Sequence, residues 1–466
     1  MFYHHPRLIL LKNKLKTTVF VLFILFAACK TPEKRSDLIA LSNFKILNLA
    51  DETVLRNEVV LLKEDSIFEI LSEEEFKKNY ILPDSAIVNG KGKYLMPSLV
   101  EMHAHFQPRN PHHKRYLQQY LSYGITQIRV MAGNEDLLSW KDSIAQNLIM
   151  GPDLKVAGPL IDGEKPLWGK FHDGPVITNT GHADSLISEI KAKGYDLVKL
   201  YERLPAKVYF EFIEAAKKQE MRVAAHIPFE VLTSAKTEEV FNTNSPSFEH
   251  FKNFGPLVTK NEVEKIAQPE DHIYYGYRLA EDPDLQKIYE VVKEIKQNQV
   301  WTSPTAVLWK NSSDSARIAA IMKTEAYKGL DEGMKNWWRS TIENQSRNMV
   351  LNRLNELFLK EMARQEVKLL VGTDFPNPFL IPGYAVHQEI HNLVDMGFSN
   401  LEALRAATIY PAQYWEEKDP APYFTQGRLA NFLILNKNPL EHIENTFSIH
   451  RVVKKGEFFS PKTLRE

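Results

Sequence analysis

Short apolar runs alternate with amphipathic stretches through the middle of the chain, from about residue 95 to residue 374. The apolar runs have the length of buried strands, and the stretches between them have the periodicity of helices. The candidate strands are LMPSLVEMHAH, ITQIRVMAG, LKVAGPLID, DLVKLY, RVAAHI, SFEHF, VWTSPTAVLW and VKLLVGTD. Strands that alternate with helices form parallel sheets, so these eight cycles predict an α/β protein with a (β/α)8 TIM-like barrel.

The two ends of the chain have a different pattern. Residues 38–96 and 424–466 contain short β-rich runs separated by polar turns, such as EVVLLKEDSIFEIL and FSIHRVVKKGEFFS. Such runs are typical of antiparallel strands. We therefore expect one small β-sandwich that is built from both chain ends, with the barrel, residues 97–423, inserted between them.

The connection between the seventh and eighth candidate strands is unusually long. It covers about residues 310–363 and contains several helical stretches. Loops on this side of a barrel cover the active site. Two interpretations stay open, a helical cap over the pocket and a peripheral insertion.

The first 29 residues resemble an export signal. Basic residues precede the uncharged run TTVFVLFILFAA, which is too short to span a bilayer comfortably. The stretch LFAAC then resembles a bacterial lipobox, which implies a lipid on Cys29 and a membrane-anchored lipoprotein in the periplasm or at the cell surface. Residues 30–37 are polar and suit a tether. The alternatives are a buried free cysteine beside an ordinary cleavage site, and an uncleaved anchor.

Composition narrows the function classes. The chain has 466 residues, with 58 Lys+Arg against 59 Asp+Glu, and therefore lacks the basic excess that is typical of nucleic-acid binding. Its 44% hydrophobic residues are ordinary for a globular protein that is large enough for a barrel and a second domain. Cys29 is the single cysteine, so no internal disulfide can form.

Polar residues with metal-ligand chemistry end five of the candidate strands. One pair, separated by a single residue, places two imidazoles on the same side of an extended chain, although such a pair alone is weak support for a metal site. The C-terminal ends of barrel strands meet at one rim, so further ligands on other strands strengthen the prediction. The candidates are His103, His105, Lys199, His226, His250 and Asp374.

At these positions the sequence resembles the amidohydrolase superfamily. The resemblance extends from about residue 38 to residue 459 and includes NGKGKYLMPSLVEMHAH, VKLY, AAHI, FEHF and VGTD, followed by a closing helix in EIHNLVDMGFSNLEALRAATIYPAQYW. Ser98 and Glu101 replace the usual glycine and aspartate of the first motif. The lysine on the fourth strand is similar to that of the imidazolonepropionase-like branch, which includes binuclear Xaa-Pro dipeptidases.

This resemblance implies a binuclear metal site. In such relatives the lysine is carboxylated and bridges two divalent ions, usually zinc. Carried over to this chain, His103, His105 and Asp374 bind one ion, His226 and His250 bind the other, and carboxylated Lys199 bridges them. Asp374 is also the expected catalytic residue, which takes a proton from the metal-activated water and passes it to the leaving amine.

The expected reaction is hydrolysis of an amide or peptide C–N bond, with a dipeptide or an N-acyl amino acid as the substrate. One alternative is a cyclic amidase or lactonase that uses the same site, and another is a non-catalytic binding lipoprotein. A further alternative is that the site binds one metal ion instead of two. No nucleic-acid partner is expected, and an oligomer is compatible with the sequence.

Further residues are weaker candidates. Tyr201 lies two positions after Lys199 and is a candidate for binding substrate. A substrate carboxylate could be recognised by arginines or by a tryptophan loop, namely Arg109, Arg203, Arg278 and the loop of Trp168. We expect His112 and His113 to be solvated, and we place His387 and His391 on a helix, with His387 near the pocket rim.

Overall fold

The computed structural model describes residues 31–108, 110–242, 246–263, 278–342, 345–415 and 424–465. The predicted export signal, Cys29 and Arg109 lie outside these residues. No helix within the described ranges combines the length and the apolar character that crossing a membrane requires.

The chain begins with a series of short strands and one helix. Helix α1 (Glu73–Asn79) starts at a capping box, in which Ser72 and Glu75 each bond the backbone N–H of the other. The strands are β1 (Glu33–Lys34), β2 (Leu38–Ser42), β3 (Lys45–Asn48), β4 (Thr53–Leu55), β5 (Glu58–Lys63), β6 (Ser66–Ser72), β7 (Tyr80–Ile81), β8 (Ile87–Asn89) and β9 (Tyr94–Pro97).

Seven parallel strands then form most of a barrel. Their pairing follows chain order, and isolated parallel bridges from Ala157 to Leu197 and from Ile161 to Leu200 join the third strand to the fourth. The strands are β10 (Leu99–Ala104), β11 (Ile125–Val130), β12 (Asp153–Val156), β13 (Leu197–Leu200), β14 (Arg222–Ala225), β15 (Pro246–Glu249) and β16 (Trp301–Ser303).

The segment 367–375 is the eighth strand, although its geometry is irregular. Leu370 N–H donates to the carbonyl of Thr302 at 2.8 Å on one side. On the other side, Met102 N–H donates to Val371 at 2.9 Å, and a bridge joins Ala104 to Phe375. The segment therefore lies between β16 and β10 and closes the barrel, which confirms the predicted (β/α)8 fold.

Helices connect the strands and continue after the eighth. Gly194, with a φ of 90°, follows the helix that precedes the fourth strand. A glycine at this position adopts the left-handed conformation that ends a helix at low steric cost. The helices are α2 (Pro111–Ser122), α3 (Glu135–Ala145), α4 (Ala183–Ala192), α5 (Ala206–Lys218), α6 (Phe229–Ser234), α7 (Thr237–Phe241), α8 (Gly255–Val258), α9 (Leu285–Gln297), α10 (Ala306–Ser312), α11 (Ser315–Met322), α12 (Glu325–Lys328), α13 (Glu332–Ser340), α14 (Gln345–Arg364), α15 (Tyr384–Asp395), α16 (Asn400–Ala406) and α17 (Ile409–Tyr414).

The long connection before the eighth strand contains helices α10 to α14. Its Trp338 is fully buried, donates its indole N–H to the carbonyl of Pro376 at 3.1 Å and packs on Phe379. The hydroxyl of Tyr116 on α2 donates to Asp331 at the start of α13. The connection thus contacts the segments that follow the first and eighth strands, on the C-terminal side of the barrel. These contacts favour a cap over a peripheral insertion.

The last strands return to the first part of the chain. They are β17 (Phe432–Leu435), β18 (Ile449–Lys454) and β19 (Glu457–Phe459). One sheet has the order β19-β18-β17-β9-β3-β4 and the other the order β6-β5-β2-β8, so both chain ends share a sheet, as the sequence predicts. Apolar side chains fill the space between the sheets, among them Leu41, Val60, Leu95, Phe432 and Val453.

The prediction of purely antiparallel strands at the chain ends is wrong for three pairs among the described strands. Strand β1 is parallel to β7, β2 is parallel to β8, and β3 is parallel to β9. The chain passes from the four-stranded to the six-stranded sheet between β2 and β3, and it does so again between β8 and β9. The chain runs in the same direction in both passages, so β2 is parallel to β8 and β3 is parallel to β9.

Candidate active site

The predicted histidine ligands of strands one and six lie close to the carboxylate of Asp374, the predicted ligand of strand eight. His103 belongs to β10, His105 follows it, His250 follows β15 and Asp374 lies in the eighth strand. Asp374 Oδ1 lies 3.4 Å from His103 Nε2 and 3.1 Å from His105 Nε2. Its Oδ2 lies 3.7 Å from His250 Nε2. These side chains therefore converge at the C-terminal rim.

Among the described residues, the ligand atoms of His103, His250 and Asp374 lie within 4.8 Å of one another, a spacing that can hold a metal ion. The ring of His250 lies 4.7 Å from the ring of His103 and 4.7 Å from that of His226. His226 therefore extends the cluster toward the fourth and fifth strands. Despite its burial, the pKa of Asp374 is held well below its usual range because His250, His103 and His105 surround it.

Lys199 on β13 is fully buried, and its ammonium nitrogen has no hydrogen-bond partner among the described residues. Burial lowers the pKa of Lys199 to about 8, against a partly opposing effect of the Glu249 carboxylate. Burial of an unpaired ammonium costs free energy. This position is therefore suited to a polar group that does not belong to the protein chain and that compensates the lysine. A neutral amine here is also able to react with carbon dioxide. The donor set of His103, His250 and Asp374 suits a divalent ion.

Three of the four histidines are fixed through Nδ1. His103 Nδ1 lies 2.6 Å from Glu249, His226 Nδ1 lies 2.8 Å from Glu202, and His250 Nδ1 lies 2.5 Å from the hydroxyl of Thr305. Partners of this kind fix the ring and its tautomer, so Nε2 remains available as a ligand. The sequence analysis missed Glu202, Glu249 and Thr305.

Glu249 is itself held by a buried arginine. Arg129 Nη2 donates to Glu249 Oε1 at 2.8 Å, while Nη1 donates to Ser247 at 2.7 Å. Although burial raises the pKa of Glu249, Arg129 and His103 outweigh that effect and hold it at about 2. The signal for this pair is present in the sequence, because Arg129 and Glu249 are charged residues within otherwise apolar barrel strands.

Glu101, which replaces the aspartate of the resembling motif, joins the first strand to the eighth. Its carboxylate accepts the N–H of His103 at 2.9 Å, the N–H of Thr373 at 2.9 Å and the hydroxyl of Thr373 at 2.6 Å. The side chain is fully buried. It therefore fixes the backbone directly beside the candidate ligands His103 and Asp374.

Three residues of the site have a positive φ, namely His250 at 62°, Thr305 at 48° and Asp374 at 68°. Non-glycine residues rarely adopt this conformation, and it is concentrated at functional sites, where the surrounding structure maintains the strain. At this rim the residues with strained backbone are ones whose side chains face the centre of the site.

Two aromatic residues form one wall of the site. The ring of Tyr201 lies 4.2 Å from the ring of His226, and that of Trp168 lies 5.7 Å from His105. Trp168 donates its indole N–H to the hydroxyl of Tyr201 at 3.1 Å. The Trp168 loop is held at its base by the buried carboxylate of Asp162, which accepts the N–H of Leu167 at 2.9 Å.

Of the arginine candidates, Arg203 lies at the base of the same loop, where its backbone N–H donates to Asp162 at 2.8 Å. The carbonyl of Arg278 accepts the N–H of Glu281 at 3.4 Å in the segment before α9. Neither contact joins the arginine to the histidine cluster.

Two histidine predictions are wrong. His113 is buried rather than solvated, because its Nδ1 accepts the N–H of Gln107 at 2.9 Å and its ring packs near Phe106 and Phe375. His387 does not face the pocket rim. It is buried on α15, bonds the carbonyl of Tyr123 at 2.8 Å and stacks on Phe447 in the region that follows β17.

Comparison with known proteins gives one matching family. Residues 94–459 match the sequence model of the amidohydrolase family. No curated protein sequence is a significant match.

Solved structures share the fold at low identity. A bottromycin amidohydrolase is 17% identical, with a TM-score of 0.69 over 92% of this chain and 88% of that chain. A Xaa-Pro dipeptidase with methionine bound in its active site is 15% identical, with a TM-score of 0.65 over 91% and 100% of the two chains. A prolidase complexed with N-methylphosphonate-L-proline is 16% identical, with a TM-score of 0.63 over 91% and 99%.

Proposed function

Because the chain belongs to the amidohydrolase family, we propose that it hydrolyses the C–N bond of a dipeptide or an N-acyl amino acid. The observation that carries the proposal is the convergence of the Asp374 carboxylate with His103, His105 and His250 beside the buried, unpaired Lys199. The six candidate residues come from five strand ends, and the C-terminal ends of barrel strands form the rim where barrel enzymes perform their chemistry.

The same residues suit two divalent ions, for which zinc is the proposed metal. His103, His105 and Asp374 would hold one ion, His226 and His250 the other, and Lys199, as its carbamate, would bridge them. When bound, such ions lower the pKa of a water molecule and polarise a carbonyl oxygen. Carboxylation supports this assignment physically, since it converts a costly buried cation into an anion with oxygen donors.

Asp374 is the proposed proton carrier. Its carboxylate faces the centre of the cluster, and its low pKa keeps it ionised near neutral pH. It therefore accepts a proton from the attacking water and then donates that proton to the nitrogen of the leaving amine. The carboxylates of Glu249 and Glu202 meanwhile hold His103 and His226 in place.

Tyr201 is the proposed substrate-binding residue. Its hydroxyl oxygen already accepts the indole N–H of Trp168. The phenolic proton therefore remains available for donation to an oxygen of the substrate. Trp168 and Tyr201 together would shield one side of the scissile bond from water.

Two alternatives use the same scaffold. The site could hydrolyse a cyclic amide or a lactone, or the protein could bind a ligand without catalysis. The proposed dipeptide class is supported by the dipeptidase and prolidase among the similar structures. We also propose that a lipid on Cys29 anchors the mature protein to a membrane of the cell envelope.

A substrate screen tests the proposal. The purified protein is loaded with zinc and assayed against dipeptides, N-acyl amino acids, cyclic amides and lactones. We expect amine release from members of the first two classes, loss of that activity on chelation and its return with zinc. Activity confined to cyclic amides or lactones would establish the first alternative. Absence of bound metal together with absence of hydrolysis would contradict an enzymatic function.

A further inference from the structure

The segment between the seventh strand and α10 has an unusual helix start. Thr305 is the N-cap residue of α10 and has a left-handed φ of 48°. A threonine at this position normally accepts an N–H of the first helical turn. The side chain of Thr305 makes no such bond. Its hydroxyl instead donates to the carbonyl of Pro304 at 2.8 Å and lies 2.5 Å from His250 Nδ1.

These two contacts fit one tautomer of His250. When the single hydroxyl proton of Thr305 is donated to the carbonyl of Pro304, the hydroxyl oxygen accepts from Nδ1–H of His250. The remaining nitrogen, Nε2, then has a free lone pair and points at Asp374, which is the arrangement of a metal-ligating histidine.

A carboxylate from a different helix takes over the cap. Glu389 on α15 accepts the N–H of Ala306 at 2.9 Å and that of Val307 at 2.6 Å. Its side chain is fully buried, and the amide of Asn392 lies 3.4 Å from Oε2. A carboxylate at the first turn also interacts favourably with the helix dipole. Glu389 thus satisfies the N–H groups that Thr305 leaves without a side-chain acceptor.

We propose that Glu389 is a positioning residue, which caps α10 so that the hydroxyl of Thr305 is free to orient His250 toward the metal site. Without this carboxylate, the buried N–H groups of Ala306 and Val307 compete for the hydroxyl of Thr305, the nearest cap side chain in the sequence. His250 then loses its fixed tautomer. The proposal rests on the proposed function only in assigning His250 as a metal ligand.

Cobalt binding tests the proposal without a substrate. The variants are Glu389→Gln, which retains the volume but replaces one acceptor oxygen by an amide donor, Thr305→Val, and the double variant. Glu75→Gln is the matched control, because it removes a cap carboxylate from the sandwich helix α1. The measurements are the absorption spectrum of bound Co²⁺, its affinity in competition with a chelator, and thermal unfolding.

We expect Glu389→Gln and Thr305→Val each to lower the affinity for Co²⁺ by about 10- to 100-fold, the usual effect of losing a partner of a ligand, and to change the Co²⁺ spectrum. The double variant should match Thr305→Val within about twofold, since both act through the same hydroxyl. Glu75→Gln should leave Co²⁺ binding unchanged.

Several outcomes would overturn the proposal. One is an unchanged Co²⁺ affinity and spectrum in Glu389→Gln with a lowered unfolding temperature, which identifies a purely structural cap. Another is unchanged binding in Thr305→Val, and a third is multiplication of the two effects in the double variant. A protein that binds no ion contradicts the proposed function instead. The nitrogen-15 spectrum of His250 in the metal-free variants then decides the proposal, by a loss or retention of the Nδ1–H tautomer.

Discussion

Lys199 is the residue on which the proposed bridged metal site depends most directly. Its nitrogen is buried and has no hydrogen-bond partner in the part of the chain that the structure describes, which is unfavourable unless the group is neutral or modified. The apolar environment that lowers its pKa to about 8 also makes the neutral amine accessible. The same environment therefore explains both the cost of the lysine and its proposed use.

Lys199→Ala should lower hydrolysis by ~10³-fold or more, which corresponds to ~4 kcal/mol of transition-state stabilisation. A short carboxylic acid should restore part of the activity by occupying the space of the carbamate. Steady-state kinetics on the best substrate of the screen measures both effects. Lys155→Ala is the control, because that lysine belongs to a barrel strand but its side chain is 37% exposed. Full activity of Lys199→Ala would refute the bridging role.

His113 gives a residue-scale prediction that is independent of the metal. Burial lowers its pKa from 6.5 to about 4, so the folded protein binds this proton more weakly than the unfolded chain does. Between these values the unfolded chain carries more protons, and stability therefore falls as the pH falls from 6.5 to 4. With ~1.4 kcal/mol for each pKa unit, His113 accounts for about 3 kcal/mol of that loss.

His113→Asn removes the titration but retains an acceptor for the N–H of Gln107. We expect its free energy of unfolding to depend less on pH between 6.5 and 4, by up to ~3 kcal/mol. Urea denaturation at a series of pH values measures this difference. A variant with the same pH dependence as the parent protein would show that His113 titrates normally in the folded state.

At the scale of an element, the long connection of helices α10 to α14 contacts the rim in part through Trp338. Adjacent tryptophans on α13 provide a matched comparison. Trp338 is fully buried against the loop that follows the eighth strand, whereas Trp337 is 44% exposed. The capping contact is therefore concentrated in one of the two side chains.

Trp338→Ala should lower the free energy of unfolding by about 3–5 kcal/mol, as expected for a large buried aromatic residue. Trp337→Ala should change it by less than ~0.5 kcal/mol. Chemical denaturation gives both values. Hydrogen exchange should show that loss of protection in Trp338→Ala is greatest in α13 and around Phe379. Equal effects of the two substitutions would be inconsistent with the observed packing.

At the scale of the whole molecule, the proposed anchor determines where the barrel acts. The predicted tether, residues 30–37, is partly folded, because β1 within it pairs with β7. A lipid on Cys29 would therefore hold the barrel close to a membrane surface. Its substrates would then be small molecules or dipeptides of the cell envelope or the surroundings.

Cys29→Ser removes the atom that would be acylated, so the protein should move from the membrane fraction to the soluble fraction and lose labelling by a radioactive fatty acid. Fractionation of cells that produce the full chain, followed by detection of the protein and the label, measures this. Thr31→Ser is the control, because it introduces a serine at another tether position. This variant should remain membrane-bound. Unchanged partition of Cys29→Ser without a lipid label in the parent protein would remove the anchor from the proposal.

The sequence by itself determined the barrel and the composite sandwich, and it identified candidate site residues, among which the structure brings His103, His105, His250 and Asp374 together. Those features are local, because strand periodicity and the position of a polar residue at a strand end are properties of short segments. The resemblance of VKLY, FEHF and VGTD to family motifs then supplied the order of the ligands.

Only the tertiary structure decided what supports the site. Arg129 lies on the second barrel strand and contacts Glu249 and Ser247 on the sixth, two strands that do not pair, so only the closed barrel brings these side chains together. Glu389 reaches α10 from 83 residues further along the chain. Similarly, the burial of His113 and the parallel pairs of the sandwich depend on which segments pack together. Such pairings involve distant residues, and the local pattern around each residue does not specify its partner.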